Sequence, residues 1–202
     1  MKKALGVVVV IALGWALPIT SAVAKGDLVT YAEKEGMDVP TPGPDESVVV
    51  LVRPYSMPPT AATVYERKDD GSLTLITASY PTTYVVHKVV PGKHVFAVVS
   101  EAADFIEVDA AGGKIYPIVV TPRMGAWKAR FSLLSGCPGS DSWEKMKKWL
   151  EGSYSVTPNE AAPLWFEKNR ASVMKKVDAY WPKWIGKSDR PVVKAEDGVT
   201  AF

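Results

Sequence analysis

The sequence predicts a mainly β fold, an antiparallel β-sandwich followed by a C-terminal appendage of two amphipathic helices. Three observations carry this expectation. Residues 47–134 hold eight short apolar or alternating runs, each ended by Gly, Pro or Asp, which is the pattern of a sandwich or open barrel. The texture changes at Gly136-Cys137-Pro138-Gly139, after which apolar residues recur every three to four positions, the helical period. The chain has 202 residues, 47% apolar and 23% charged, with one Cys, too apolar for a disordered chain and too poor in Cys for a disulfide scaffold.

Residues 1–24 read as an export signal. Lys2 and Lys3 form a positive start, Ala4 to Leu17 is an uncharged run of 14 residues, and Ala22-Val23-Ala24 is a small-residue cleavage site. The run is shorter than the roughly 20 apolar residues a membrane-spanning helix needs. Cleavage after Ala24 leaves a chain that starts at Lys25 and carries 22 basic and 22 acidic side chains. The expected compartment is the periplasm or the exterior of a bacterium. Export and a net charge near zero argue against a nucleic-acid partner.

Residues 25–46 read as an extended leader, since Pro40, Pro42 and Pro44 forbid a hydrogen-bonded ladder. The β domain spans 47–135. Ser47 to Val52 is a continuous β-branched and Leu run, suited to a strand buried on both faces. Thr63 to Arg67 and Leu73 to Ser79 flank Asp69-Asp70-Gly71 and predict a hairpin. Tyr84 to Val90 and Lys93 to Ser100 flank Pro91-Gly92 and predict a second. Phe105 to Asp109 and Lys114 to Thr121 around Gly112-Gly113 predict a third pair, and Ala129 to Leu134 closes the series. The helical appendage spans 136–190. Its first helix is expected to be capped by Asp141, to carry Trp143, Met146 and Leu150 on one face, and to end at Gly152. Its second is expected to start near Thr157-Pro158-Asn159-Glu160 and to run over Leu164 to Tyr180, with Phe166, Val173, Val177 and Trp181 on one face. Residues 191–202 read as a flexible tail.

The segments Val50-Leu51-Val52-Arg53-Pro54, Pro91-Gly92-Lys93-His94-Val95-Phe96, Gly113-Lys114-Ile115-Tyr116 and Thr121-Pro122-Arg123-Met124-Gly125-Ala126-Trp127 form one pattern. With Glu167-Lys168-Asn169-Arg170 and Pro182-Lys183-Trp184, it resembles a bacterial family of exported or lipid-anchored proteins known only as a domain of unknown function. That family is similar in turn to the PEGA-type β-sandwich modules of cell-envelope proteins. The resemblance implies a fold and a compartment, and no reaction, substrate or catalytic residue. This chain lacks the anchoring Cys of some relatives.

Several constellations carry chemistry. If Pro91-Gly92 is a two-residue turn, His87 and His94 lie diagonally on one face, roughly 7–8 Å apart, close enough to share a metal. The face also holds Val85, Val89, Phe96 and Val98, so packed histidines are the first expectation and a metal pair the weak alternative. Cys137, alone in an oxidising compartment, is expected to be a buried, inert thiol. Glu101, Asp104, Glu107 and Asp109 read as a solvated acidic face, with no calcium-loop spacing among them. Arg123, Trp127 and Arg130 mix cations with an aromatic and are candidates for contact with a partner. Trp181 and Trp184 are candidates too, because five of the seven Trp residues follow position 140 in a stretch where Lys and Arg outnumber acids.

No phosphate-binding Gly-rich loop, nucleophile elbow, His-Glu-x-x-His or Cys pair is present in the sequence. The expected function is a non-enzymatic envelope module, with no cofactor, that meets an envelope protein, a glycan or a membrane surface. The alternative is a periplasmic protein that binds a small ligand or metal, or a hydrolase without a sequence signature.

Overall fold

The computed structural model describes residues 28–33, 35–123 and 129–202. Residues 1–24, read above as an export signal, and Trp127 and Lys128 lie outside the described residues. The described residues are mainly β, with two sheets and two α-helices. The described strands are β1 (Val29–Tyr31), β2 (Ser47–Arg53), β3 (Ala62–Arg67), β4 (Leu73–Ser79), β5 (Thr83–Val89), β6 (Gly92–Val99), β7 (Ala103–Ala110), β8 (Ile115–Arg123), β9 (Arg130–Ser135), β10 (Tyr154–Pro158) and β11 (Val192–Val193). The helices are α1 (Trp143–Glu151) and α2 (Ala161–Ile185). One sheet has the order β1-β10-β5-β2-β8-β9 and the other β11-β7-β6-β3-β4.

All seven residues of β2 are buried, and their alternation shows why. Val49 and Leu51 point into a core shared with Val64, Phe96, Val98, Ile106 and Val108 of the second sheet. Val48, Val50 and Val52 point the other way, into a cluster with Met146 and Leu150 of α1. The second sheet repeats the arrangement. Its outward residues Tyr65, Ala97, Val99 and Phe105 pack on Phe166, Val173, Val177 and Trp184 of α2. The molecule is therefore built in four layers, helix, sheet, sheet, helix. Each sheet is covered on both sides.

Only β3 and β4 form an expected hairpin in the order the sequence suggested, with a register shift at Val64/Tyr65. β5 pairs with β2 and β10 in one sheet, while β6 pairs with β3 and β7 in the other, so Pro91-Gly92 is a corner between sheets. Gly92 takes it with φ +137, a backbone region that favours glycine. The turn at Gly112-Gly113 crosses back in the same way, from β7 to β8. A Cβ on Gly112 would lie 1.8 Å from the Pro44 carbonyl oxygen, and the Gly113 N–H donates to the carbonyls of Gly43 and Glu46. The proline-rich stretch is seated against that turn.

The sheets are not purely antiparallel, in contrast to expectation. β8 returns beside β2 only after the chain has visited the other sheet, and a crossover of that kind makes the pair parallel. β10 on β5 and β11 on β7 are parallel as well.

The stretches read as leader, appendage and tail each contribute a strand. In the leader, Leu28 is fully buried and β1 pairs with β10. β10 itself lies between the helices, over Thr157-Pro158, so α2 starts at Ala161, where Asn159 Oδ1 accepts from the Ala161 N–H. The tail is held by β11, by mutual Ile115–Val199 backbone hydrogen bonds, and by Tyr116, whose hydroxyl donates to the Ala195 carbonyl at 3.0 Å. The buried Val193 supplies the apolar anchor that the sequence did not advertise.

The helix ends also differ in detail. Ser142 occupies the N-cap of α1 and makes no side-chain capping bond, in place of the cap expected from Asp141. α2 continues through Pro182 to Ile185 because its last turn is held by packing. Phe105 meets Trp181 and Trp184 at ring centroid distances of 5.3 and 5.7 Å.

This arrangement makes α2 integral to the fold. Phe166 is 5% exposed and its ring lies 5.1 Å from that of Tyr65. Phe166→Ala is expected to cost roughly 3–5 kcal/mol and to lower the melting temperature by many degrees. Leu164→Ala, at a position 73% exposed, is the control and should change stability by less than about 0.5 kcal/mol. Thermal unfolding of the two variants side by side checks this.

Candidate functional site

The corner between β5 and β6 brings together four titratable side chains from both sheets. Glu66 lies opposite Phe96 in the β3–β6 register, and Phe96 belongs to the inner core. Glu66 therefore faces inward, and it is only 6% exposed. Its Oε1 meets His94 Nδ1 at 2.8 Å and its Oε2 meets Lys68 Nζ at 2.8 Å. His87, arriving on β5 from the other sheet, places Nε2 at 3.6 Å from Oε2. That is an ion-pair distance and not a hydrogen bond, so the buried Nε2 of His87 has no hydrogen-bond partner among the described residues.

The electrostatics follow from this geometry. Burial raises the Glu66 carboxyl, but hydrogen bonds from Lys68 and His94, together with their charges, outweigh it and hold the group below its ordinary value. Burial lowers His87, and Glu66 beside it does not restore the loss. His87 is thus a neutral ring against a buried carboxylate. His94 Nε2 lies 2.8 Å from the Val90 carbonyl oxygen, so both His94 nitrogens face acceptors. A metal needs a ring-nitrogen lone pair, and both His94 nitrogens are turned onto acceptors of the protein. Among the described residues no group of three or more His, Cys, Asp or Glu side chains is arranged to hold a metal ion. The hairpin diagonal expected for His87 and His94 is replaced by a meeting of two sheets on Glu66.

Around the end of the second sheet this cluster opens into a cleft of about 550 Å³. Pleating sends Arg67, Val95 and Glu107 to the outer face, toward the end of α2. Trp181 and Ile185 form the helical wall, and Lys93 and Arg190 stand at the rim. The Arg67 guanidinium lies 4.0 Å from the centre of the Trp181 ring, within the range of a cation–π contact. Trp181 stacks on Trp184 at 5.2 Å.

The remaining candidates fall in three places. Trp184 is 2% exposed and packs on Phe105 and Trp181, with the Arg190 guanidinium 5.8 Å from its ring centre. This corrects the expectation that Trp184 is presented to a partner. Trp181 is half-buried and lines the cleft. Arg123 and Arg130 are exposed register partners at the ends of β8 and β9, and Arg123 reaches Asp104 at 3.3 Å. Trp127, the third member of that set, lies outside the described residues. Cys137 is 1% exposed, and burial pushes its thiol up to about 11, the opposite of an activated nucleophile.

Two buried charges carry no motif in the sequence. Glu66 shares a strand face with Val64, so period-2 alternation places a carboxylate on the core side. Arg53 ends the apolar run of β2 and is fully buried. Its Nη1 donates to the carbonyls of Thr60 and Ser79 at 2.8 and 3.0 Å, and its Nη2 to that of Pro58. The guanidinium lies 4.6 Å from the centre of the Phe131 ring. Burial lowers Arg53 to about 10, which leaves it charged at neutral pH.

No family model matches the chain, and no curated protein matches it either.

The Glu66 cluster gives stability an acid dependence of fixed sign. His87 and Glu66 both sit below their ordinary values of 6.5 and 4.5, so the unfolded chain binds more protons than the folded one. Their contribution is present above those values and is lost as the pH falls, first below 6.5 for His87 and then below 4.5 for Glu66. Glu66→Gln should cost roughly 1–3 kcal/mol at neutral pH and flatten the acid limb. Urea unfolding of both proteins across the acid range checks it, and an equally steep limb in the variant would refute the assignment to Glu66.

Proposed function

We propose that this protein is an exported, non-enzymatic module of the bacterial cell envelope that uses the cleft at the end of α2 to hold an envelope partner. In this reading its two sheets form a sandwich of PEGA type, and its compartment is the periplasm or the cell exterior. The observation that carries the reading is the cleft itself, about 550 Å³. Its size suits a ligand, and it is lined by cations, carboxylates and one Trp. The groups most suited to catalysis are engaged in structure. Glu66 is bound by His94 and Lys68, and Cys137 is buried with a raised thiol. Those facts favour binding over turnover.

The small-ligand alternative uses the same cleft. A metal at His87 and His94 is the weaker form of it, because Glu66 and the Val90 carbonyl already occupy the His94 nitrogens. No helix among the described residues is long and apolar enough to cross a membrane, so contact with a bilayer would be made at its surface or by other means.

Fractionation and sedimentation test the reading together. The exported protein should have the intact mass of a chain starting at Lys25 and should co-sediment with purified envelope material. Lys93→Glu, at a side chain 74% exposed, reverses charge at the cleft rim and should weaken that association roughly tenfold, about 1.4 kcal/mol. A protein that stays in the cytoplasm, or whose association with the envelope ignores Lys93, would contradict the proposal.

A further inference from the structure

The cleft has more cationic donors than its own carboxylates use. Four cations line it, Arg67, Lys68, Lys93 and Arg190, against the carboxylates of Glu66, Asp69 and Glu107. Among the described residues, Lys68 is the one of the four held at hydrogen-bond distance by an acid, at 2.8 Å from Glu66. Lys93 and Arg190 both approach Glu107, at 3.9 and 3.8 Å, too far for a hydrogen bond. Glu107 thus sets the two cations beside one another without saturating either. Arg67 has its guanidinium on the Trp181 face and donates through Nη1 to the Lys68 carbonyl. No carboxylate lies within ion-pair distance of Arg67 among the described residues.

Behind the cleft wall the packing is tight. Arg67 Nε, Arg190 Nε and Trp184 Nε1 are all buried and have no hydrogen-bond partner among the described residues. The guanidinium groups of Arg67 and Arg190 are held against the Trp181 and Trp184 rings, which fixes two planar cations at the cleft wall. Trp181 and Ile185 add an apolar wall on the helical side.

We propose that this cleft binds the phosphate head of an organic phosphate monoester, with Arg67, Lys93 and Arg190 as the anchoring cations. This rests on the reading of the cleft as the ligand surface. A phosphate monoester carries close to two negative charges at neutral pH and three terminal oxygens, which matches three cations better than a carboxylate's one charge and two oxygens. Planar guanidinium groups pair with phosphate through two parallel bonds. The volume exceeds that of the phosphate alone, so the ester carries a polar body of about sugar size against Trp181 and Ile185. The same head can come from a soluble sugar phosphate or from a phosphatidic acid surface.

Titration calorimetry on the full mature chain tests this, with glucose 6-phosphate, with glucose, and with phosphatidylcholine vesicles that contain or lack phosphatidic acid. Saturable binding of glucose 6-phosphate and none of glucose is expected. Lys93→Gln and Arg190→Gln should each weaken it roughly tenfold, and added salt should weaken it further. Lys93 is a rim residue, so its variant should keep the melting temperature of the wild type. Binding to the phosphatidic acid vesicles alone, with the same dependence on Lys93, supports the phosphate chemistry and assigns its source to lipid. Binding of neither probe, or binding that ignores both substitutions, overturns the proposal. If in that case envelope association still depends on Lys93, the cleft remains a ligand surface and its phosphate specificity is what fails.

Discussion

A strand buried on both faces has to lie in a layer that is covered on both sides, and β2 imposes that condition on the whole molecule. Its inward Val49 and Leu51 need the second sheet, and its outward Val48, Val50 and Val52 need α1. The second sheet has the same need, because Tyr65, Val99 and Phe105 point away from the inner core. α2 meets it with Phe166, Val173, Val177 and Trp184. The two helices therefore complete the hydrophobic layers on opposite sides of the protein. Burial of apolar area at roughly 25 cal/mol per Å² makes such coverage a condition for stability, and the short strands β1, β10 and β11 extend the sheets with chain that would otherwise hang free.

The cleft is a by-product of the same layering. α2 ends at Ile185, near the edge of the sheet it covers, and the chain turns back through Arg190 toward β11. Where the helix stops, the outer face of β3, β6 and β7 is left open, and there the apolar residues give way to Arg67, Lys93 and Glu107. On the inner side of the same sheet end, the corner at Pro91-Gly92 closes the core with His87, His94 and Glu66 in place of aliphatic side chains. A buried carboxylate is tolerated there because two hydrogen bonds satisfy it. One end of the molecule thus holds a polar cluster on the inner side of the sheet and a charged cleft on the outer side, with Glu66, Lys68 and His94 lining the passage between them.

How much of this the sequence discloses depends on whether a feature is local. The strand positions, the Asp-Gly turn after β3 and the apolar faces of both helices are readable, since each rests on periodicity or turn chemistry within a few residues. The unbroken run Ser47 to Val52 already implies a layer covered on both faces. That implication points to helices on opposite sides, and reading 136–190 as one appendage overlooks it. The sheet assignments are not local. Pro91-Gly92 and Gly112-Gly113 serve a hairpin and a sheet-to-sheet corner equally well, and only tertiary pairing decides. β1, β10 and β11 are two to five residues long, too short to show a period. Of the candidate site, Glu66 is legible as a charge on a core face, whereas the approach of Arg190 to Glu107 joins residues far apart in the chain and leaves no mark in either.

If the helices are structural layers, sheets and helices unfold as one cooperative unit. Native-state hydrogen exchange at individual amides measures this directly. The central amides of α2, around Val173 and Val177, are expected to exchange with the same opening free energy as those of β2 and β6. Exchange of α2 through a separate, cheaper opening, with the amides of β2 and β6 still protected, would show the helix to be an appendage and not a layer of the fold.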